Sequence, residues 1–139
     1  MASTRRPKPV EQWRDRRQVL GIRGEQLATE FLLACGWTVE AQRFRLGRHD
    51  IDVVVRKGRL VAFVEVKTRR SDICGAPVQS VGRLKQRRIG RVAAYWALRH
   101  GRPDDDYRFD VVAVDGAGQR PAVEHIPDAW RLESPWIFR

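Results

Sequence analysis

Two carboxylates and one lysine on neighbouring predicted strands are the residues of this sequence best suited to chemistry. Asp52 lies in the segment HDIDVVV, and Glu65 and Lys67 lie in VAFVEVKTR. Glu65 interrupts an otherwise apolar strand, where burying an ionised carboxylate without compensation is costly. A divalent cation removes that cost, and ligands that are all oxygens suit Mg²⁺ or Mn²⁺. Lys67 places an ammonium beside the same cation, where it can hold a phosphate oxygen or the attacking water.

The register of the two strands decides whether these side chains share a face. Lys57–Gly58 is a hairpin signal, and a turn centred there pairs Asp50 with Glu65. Because side chains alternate faces along a strand, Asp52, Glu65 and Lys67 then point to one side. Asp52 and Glu65 become diagonal neighbours that can share one cation. The alternative is a Glu–Lys surface pair at a strand end, since an isolated E-x-K motif is weak evidence.

Two predicted helices add charged residues to this picture. Glu25 borders the apolar stripe of a helix from about Val19 to Cys35, so its carboxylate would point along the sheet edge. A glutamate that stabilises the dipole of the helix is the alternative. A second helix, from about Gln79 to Arg99, carries Lys85 on an otherwise apolar line, and its arginines either position phosphates or form a solvated face. The residues that we assign to nucleic-acid binding are Arg69, Arg70, Arg83, Lys85, Arg87 and Arg91.

The order of the predicted elements indicates the fold that must position these residues. The strand patterns are Trp37–Phe44, Asp50–Arg56, Arg59–Thr68, Tyr107–Val114 and a weaker Pro121–Ile126. The order is therefore α-β-β-β-α-β with a short strand after it. Three consecutive strands favour an antiparallel meander, and the second helix crosses over to place the next strand parallel to the third. This predicts an α/β domain with a central mixed sheet flanked by helices.

Length and charge set the domain count and the kind of partner. The 139 residues fit one domain, predicted over residues 18–139, after a flexible basic arm at residues 1–17, for which a simple frayed terminus is the alternative that we favour over a segment that tracks phosphates. The net charge of +10 indicates a polyanionic partner, most simply nucleic acid. A solvated basic surface and an anionic membrane surface are the alternatives.

Other classes of protein are disfavoured by what the sequence lacks. No stretch approaches the roughly 20 apolar residues of a membrane span, and no signal-peptide core follows Met1, so we expect no membrane association. Cys35 and Cys74 form no disulfide framework, which favours a reduced, cytoplasmic protein. The three histidines lie far apart and show no zinc-ligand spacing.

The motifs together resemble a known family. RGEQLATEFLLACGW, HDIDVVV, VAFVEVKTR, the Lys85–Gln86 pair and YRFDVVAVD are similar to the YraN-type family of bacterial proteins, over about residues 19 to 130. That family resembles the Holliday-junction-resolvase branch of the PD-(D/E)xK superfamily. The resemblance implies a restriction-endonuclease-like α-β-β-β-α-β core.

The same resemblance implies roles for four residues. Glu25 matches the helix glutamate, Asp52 the metal-binding aspartate, Glu65 the second carboxylate and Lys67 the catalytic lysine. The chain reads H-D-I-D where family members usually read G-E-I-D. Asp50 therefore keeps the charge of a glutamate with a shorter reach, and its role stays open.

The expected activity is that of a metal-dependent endonuclease acting on nucleic acid, with DNA, including branched or structured DNA, as the expected substrate. Asp52 and Glu65 would hold Mg²⁺ or Mn²⁺, helped by Glu25 or by the carbonyl of Val66, and Lys67 would orient water and stabilise the phosphorane charge. A nucleic-acid-binding module without turnover, and an adaptor of a DNA-processing assembly, are the alternatives. Cutting a junction requires two sites and hence a homodimer. The choice between DNA and RNA and the biological pathway stay open.

Overall fold

A computed structural model describes residues 16–69, 81–115 and 122–132, with side chains from residue 23 onward except that of Arg69. Several features predicted from the sequence lie outside these residues. They are residues 1–15 of the predicted arm, Arg70 and Cys74.

Two helices and five strands make up the described chain, and they confirm the predicted mixed α/β architecture. The elements are α1 (Arg16–Ala34), β1 (Thr38–Leu46), β2 (His49–Lys57), β3 (Leu60–Arg69), α2 (Arg83–His100), β4 (Asp106–Asp115) and β5 (Ala122–Trp130). The strands form one sheet in the order β1-β2-β3-β4-β5. Neighbours are antiparallel except β3 and β4, which are parallel and joined through α2.

The ends of the elements depart from prediction for local reasons. Gly36 has a φ of 92°, a left-handed conformation that glycine adopts easily and that ends α1. Cys35, predicted as the last apolar contact of α1, is exposed because the chain has already left the helix. The predicted start of α2 at Gln79 is replaced by Arg83, after Gly82 in an extended conformation.

The sheet separates two apolar layers. The α2-side core contains Val54, Val61, Phe63, Ile89, Val92, Trp96 and Phe109. The α1-side core contains Ala28, Leu32, Trp37, Val53, Val64 and Val112. Strand β3 contributes to both layers, which explains its nearly continuous apolar sequence. None of the helices in the described residues is long and apolar enough to cross a membrane.

The hairpin between β2 and β3 closes one residue later than predicted. Lys57 pairs with Leu60, so the turn is Gly58–Arg59, and Gly58 takes a φ of 61°. The predicted pairing of Asp50 with Glu65 is therefore wrong. The pairing shifts by an even number of positions, which preserves the face on which each side chain lies. Continuing the ladder one residue beyond its last pair brings Asp52 level with Glu65.

Strand β2 does not alternate faces along its whole length, as the sequence analysis assumed. Ile51 and Val54 both pack in the α2-side core, whereas Val53 packs in the α1-side core. The alternation breaks at Asp52, between Ile51 and Val53. The side chain of Asp52 therefore cannot be assigned to the same face as Val54 by strand alternation alone.

The neighbouring strand β1 has the matching irregularity. Ala41 and Phe44, three residues apart, both pack against the α2-side core. Between them, Arg43 has a φ of 49°. A left-handed conformation costs a non-glycine residue about 1–2 kcal/mol. The residues on either side of Arg43 pair with those on either side of Asp52, so the two breaks lie at one level of the sheet.

The end of the sheet near the β2–β3 turn is closed by a compensated ion cluster. Arg56 donates to both carboxylate oxygens of Asp105, at 2.6 and 2.8 Å, and to Glu40 at 2.5 Å. The bond from Arg56 holds the pKa of Asp105 below its usual value. The charges at this end are therefore paired within the protein.

Asp110 joins β5 to β4 from within the α1 side of the sheet. Its carboxylate is fully buried and accepts bonds from Arg108, through two nitrogens at 2.8 Å, and from the backbone N–H of Asp128. The Nε2 atom of His125 lies 2.7 Å from the same carboxylate. Burial raises the pKa of Asp110, but the bonds to His125, Arg108 and Asp128 outweigh it and leave the pKa lowered.

We expect Asp110→Ala to lower the free energy of unfolding by about 1–3 kcal/mol, because it removes the buried acceptor that Arg108, His125 and the backbone N–H of Asp128 share. Asp106→Ala on the same strand is the control, since its pair with Arg59 is exposed and worth about 0–1 kcal/mol. Because the folded pKa of Asp110 is lowered, its contribution is present above the ordinary carboxyl pKa and is lost as pH falls through the folded value. Urea unfolding of both variants at pH 7 and at acidic pH measures this, and equal losses in the two variants at pH 7 would contradict it.

Candidate active site

The site begins where β2 and β3 stop pairing. The last ladder pair is Val53–Val64, and one step further the backbone N–H of Val66 donates to Asp52 Oδ2 at 2.7 Å. The Asp52 carboxylate therefore accepts the hydrogen bond that a main-chain carbonyl would accept in a continuing ladder. This contact fixes Asp52 beside β3 at the open end of the sheet.

Asp52 is held in an environment that opposes its ionisation. Burial, followed by the charge of the neighbouring Glu65 carboxylate, raises the pKa of Asp52 to about 8, against the opposing effect of the Val66 N–H. Glu25 and Asp50 act in the same direction as Glu65. A cluster of acids with too few donors is typical of sites that take a cation.

Glu65 is buried, with 8% of its surface exposed, and two lysines approach it. Lys85 of α2 forms an ion pair with Glu65 Oε1, and Lys67 Nζ lies 3.9 Å from the same oxygen. Burial and the charge of Lys85 lower the pKa of Lys67. Burial also lowers the pKa of Lys85, but its bond to Glu65 outweighs this and leaves it raised. Lys85, which was predicted as a cation on the otherwise apolar line of α2, is thus the partner of Glu65.

Glu25 reaches the edge of the cluster because α1 packs closely on β3. A Cβ atom at Gly24 would overlap the side chain of Thr68, so only glycine allows this approach. Arg43 Nε donates to Glu25 Oε2 at 2.8 Å. Glu25 contributes to the raised pKa of Asp52, which places its charge within electrostatic reach of the pair.

The structure brings Asp52, Glu65, Lys67 and Lys85 together at the open end of the sheet. The α2 arginines assigned to nucleic acid, which are Arg83, Arg87 and Arg91, lie in exposed positions instead. The side chain of Arg69 and all of Arg70 lie outside the described residues. Asp50 is exposed, and its charge acts on both Asp52 and Arg43.

Arg43 is the residue of this cluster that the sequence analysis missed. Its guanidinium bonds Glu25 and also feels the charges of Asp50 and Asp52. The available signal was the three-residue spacing of Ala41 and Phe44, which does not fit a regular strand. An arginine with positive φ has no sequence signature of its own.

The carboxylates of the site supply part of the set of ligands that a divalent cation needs. Among residues 23–68, 81–115 and 122–132, no group of three or more His, Cys, Asp and Glu side chains is arranged to hold a metal ion. Glu25, predicted as a third ligand, is paired with Arg43. Asp52 and Glu65 remain as two neighbouring oxygen donors whose mutual repulsion a dication would offset, the chemistry that suits Mg²⁺ or Mn²⁺.

We expect Asp52→Asn to stabilise the metal-free protein increasingly as pH rises. A folded pKa above the unfolded value means that the parent's contribution from Asp52 is fully present below about pH 4 and is lost as pH rises through about 8. Asparagine keeps an acceptor for the Val66 N–H but carries no charge. Thermal melts in chelator from pH 5 to pH 9 measure the difference in Tm.

Asp50→Asn is the matched control for this melt series, because Asp50 lies on the same strand and is exposed. It should show little pH-dependent gain. An Asp52→Asn variant that melts below the parent throughout this range would indicate that Asp52 is a stabilising structural acid.

Comparison with known proteins gives a family-level match. The sequence model described as "Uncharacterised protein family UPF0102" matches residues 24–114, which contain every carboxylate and lysine of the site. A UPF0102 protein of Anaeromyxobacter dehalogenans strain 2CP-C is 43% identical over 116 residues, covering 84% of this chain and 87% of the relative. Those of Geobacter metallireducens and Geobacter sulfurreducens are 40% and 38% identical, covering 81% and 89% of this chain and 93% and 98% of the relatives.

Proposed function

The chain belongs to the UPF0102 family, the YraN-type family indicated by its motifs, and we propose that it is a metal-dependent nuclease that hydrolyses phosphodiester bonds of nucleic acid. The observation that carries the proposal is the buried Asp52–Glu65 pair, with Lys67 beside it, at the open end of the sheet. An acid that resists ionisation, paired with a second carboxylate and next to a lysine in a basic protein, suits phosphoryl chemistry better than a structural role.

Each residue has a definite part in this proposal. Asp52 and Glu65 would hold Mg²⁺ or Mn²⁺, with the carbonyl of Val66 or a released Glu25 as further donor. A bound cation would supply Lewis acidity and a water of lowered pKa. Lys67 would place its ammonium against a phosphate oxygen, where the charge of the pentavalent phosphorane grows. The hydrogen bond from Val66 keeps Asp52 oriented toward β3 throughout.

The charge of the whole chain supports nucleic acid as the substrate. A net charge of +10 attracts a polyanion, and arginines on the exposed side of α2 extend the basic surface away from the site. We propose DNA, including branched or structured DNA, as the substrate. Cutting both strands of a junction would use two copies of the chain.

A second candidate is a nucleic-acid-binding module or adaptor that keeps the site but does not turn over. The observation that favours it is the ion pair between Lys85 and Glu65, which already compensates one carboxylate without metal. Metal-dependent cleavage distinguishes the two candidates, and salt-sensitive binding distinguishes a binding module from a purely structural adaptor.

We expect binding to nucleic acid to weaken steeply with salt and to depend little on sequence. Reversing the charge of Arg87 and Arg91 together should weaken binding about tenfold near 0.1 M salt, because both residues are exposed on α2. The control reverses Arg59 and Arg102, two exposed arginines near the closed end of the sheet. Fluorescence anisotropy measures both, and unchanged affinity in the α2 variant would move the contact surface elsewhere, such as the N-terminal arm.

We expect metal-dependent cleavage that Asp52→Asn abolishes without reducing affinity for nucleic acid, because the change removes a negative charge beside the phosphate. Lys67→Ala should lower kcat by about 10²–10³-fold with metal bound. The assay is a panel of branched, flap, single-stranded and duplex substrates with Mg²⁺, Mn²⁺ or chelator.

Asp106→Asn, an exposed acid remote from the site, is the control for these cleavage assays. It should cut like the parent. An Asp52→Asn variant that cuts equally well, or that melts lower than the parent in chelator, would favour the adaptor.

A further inference from the structure

The two carboxylates that flank Asp52 are each held by a cation from a different element. Lys85, from the first turns of α2, is paired with Glu65, and Arg43, from β1, is paired with Glu25 at 2.8 Å. Asp52 lies between them and accepts the Val66 N–H. The outer acids of the site are thus neutralised by side chains that are anchored outside it.

Both cations reach the site from the protein surface. The side chains of Lys85 and Arg43 are 47% and 52% exposed, whereas that of Glu65 is only 9% exposed. A lysine stem rotates freely once its ammonium is released, and an arginine fork can bind a phosphate through two parallel N–H bonds. Each residue can therefore turn from a carboxylate toward a ligand at the mouth of the site.

The backbone of Arg43 adds an independent observation. Its φ of 49° is a conformation that glycine would adopt without penalty, yet the position holds a long cationic side chain. The backbone of Arg43 lies level with Asp52 on β1, which pairs with β2 on the edge opposite to β3. Strain of this kind at a site with a charged side chain points to a role in binding rather than in packing.

Lys67 and Lys85 bring two positive charges to Glu65, which carries only one negative charge. Both ammonium groups approach Glu65 Oε1. If a dication takes Glu65, both lysines keep their charge and lose their partner. The same holds for Arg43 if Glu25 turns toward the cation.

We propose that Arg43 and Lys85 are exchangeable counter-ions, which hold Glu25 and Glu65 in the metal-free protein and transfer to phosphate oxygens of nucleic acid when a divalent cation takes the carboxylates. This inference rests on the proposed function and assigns the two residues to binding of the substrate phosphates. Metal and nucleic acid then bind with positive coupling, and the coupling is reciprocal. If the two salt bridges are merely structural, the coupling comes from direct attraction between metal and phosphate alone and does not change when Arg43 or Lys85 is replaced.

The test measures binding in the full chain with Ca²⁺, which prefers the same oxygen donors as Mg²⁺. Calorimetry gives the Kd for Ca²⁺ with and without a duplex oligonucleotide, and anisotropy gives the Kd for the oligonucleotide with and without Ca²⁺. In the parent each ligand should strengthen the other by about 5–150-fold, the usual range of coupling between two sites. The two experiments should return the same factor.

The variants are Arg43→Gly, which relieves the backbone strain, and Lys85→Met, which keeps the length of the side chain. Each should bind Ca²⁺ alone more tightly, because one counter-ion fewer has to leave, and each should lower the coupling factor below that of the parent. Controls are Arg45→Gly on β1 and Arg88→Met on α2, both exposed. They should weaken oligonucleotide binding equally with and without Ca²⁺ and leave the coupling unchanged.

The outcomes separate this proposal from the proposed nuclease. Cleavage by the parent with a coupling factor unchanged in Arg43→Gly and Lys85→Met would overturn the counter-ion exchange and keep the nuclease. Coupling that these variants lower, in a parent that cleaves no substrate, would keep the exchange and overturn the nuclease. A parent that binds neither Ca²⁺ nor Mn²⁺ would overturn the exchange, and cleavage of the substrate panel would then decide the nuclease separately. Arg43→Gln and Lys85→Gln repeat the test if a first variant melts below the parent.

Discussion

The hydrogen bond from the Val66 N–H to the Asp52 carboxylate is the contact on which the rest of the site depends. It terminates the β2–β3 ladder without leaving the donor of Val66 unpaired, which a buried strand could not tolerate. Because the ladder ends there, β3 continues beside β4 alone, and Lys85 of α2 can pair with Glu65 next to Lys67. The apolar layers on both faces hold β3 in place, so the position of Glu65 is fixed.

The buried acids of this protein fall into two groups according to their donors. Asp110 and Asp105 receive several bonds each, including two from an arginine, and their pKa values are lowered. Asp52 has one backbone donor and three acidic neighbours, and its pKa is raised. The first group joins secondary-structure elements, while Asp52 lies in a repulsion that a ligand can relieve. That contrast, more than the number of acids, is the reason for proposing the open end as the functional end.

The sequence predicted the element order, the mixed sheet and the common location of Asp52, Glu65 and Lys67, because periodicity reports which face is buried. The error in the hairpin turn did little harm, since a shift by two positions returns every side chain to its own face. The break at Asp52 and the conformation of Arg43 were not predictable, because they arise from the pairing of two strands rather than from either strand's own pattern. The exposure of Cys35 followed from where Gly36 ends the helix.

The residues of the site come from two separate parts of the sequence, the β2–β3 hairpin and the crossover helix α2 between β3 and β4. Asp52 and Glu65 are joined by a short hairpin, so chain closure brings these acids together early, while Lys85 arrives only when α2 docks on the sheet. Until α2 docks, Lys67 is the cation that the hairpin itself supplies to Glu65. The site therefore gains its second lysine only when the crossover is complete, which ties the charge balance of Glu65 to formation of the parallel β3–β4 pairing.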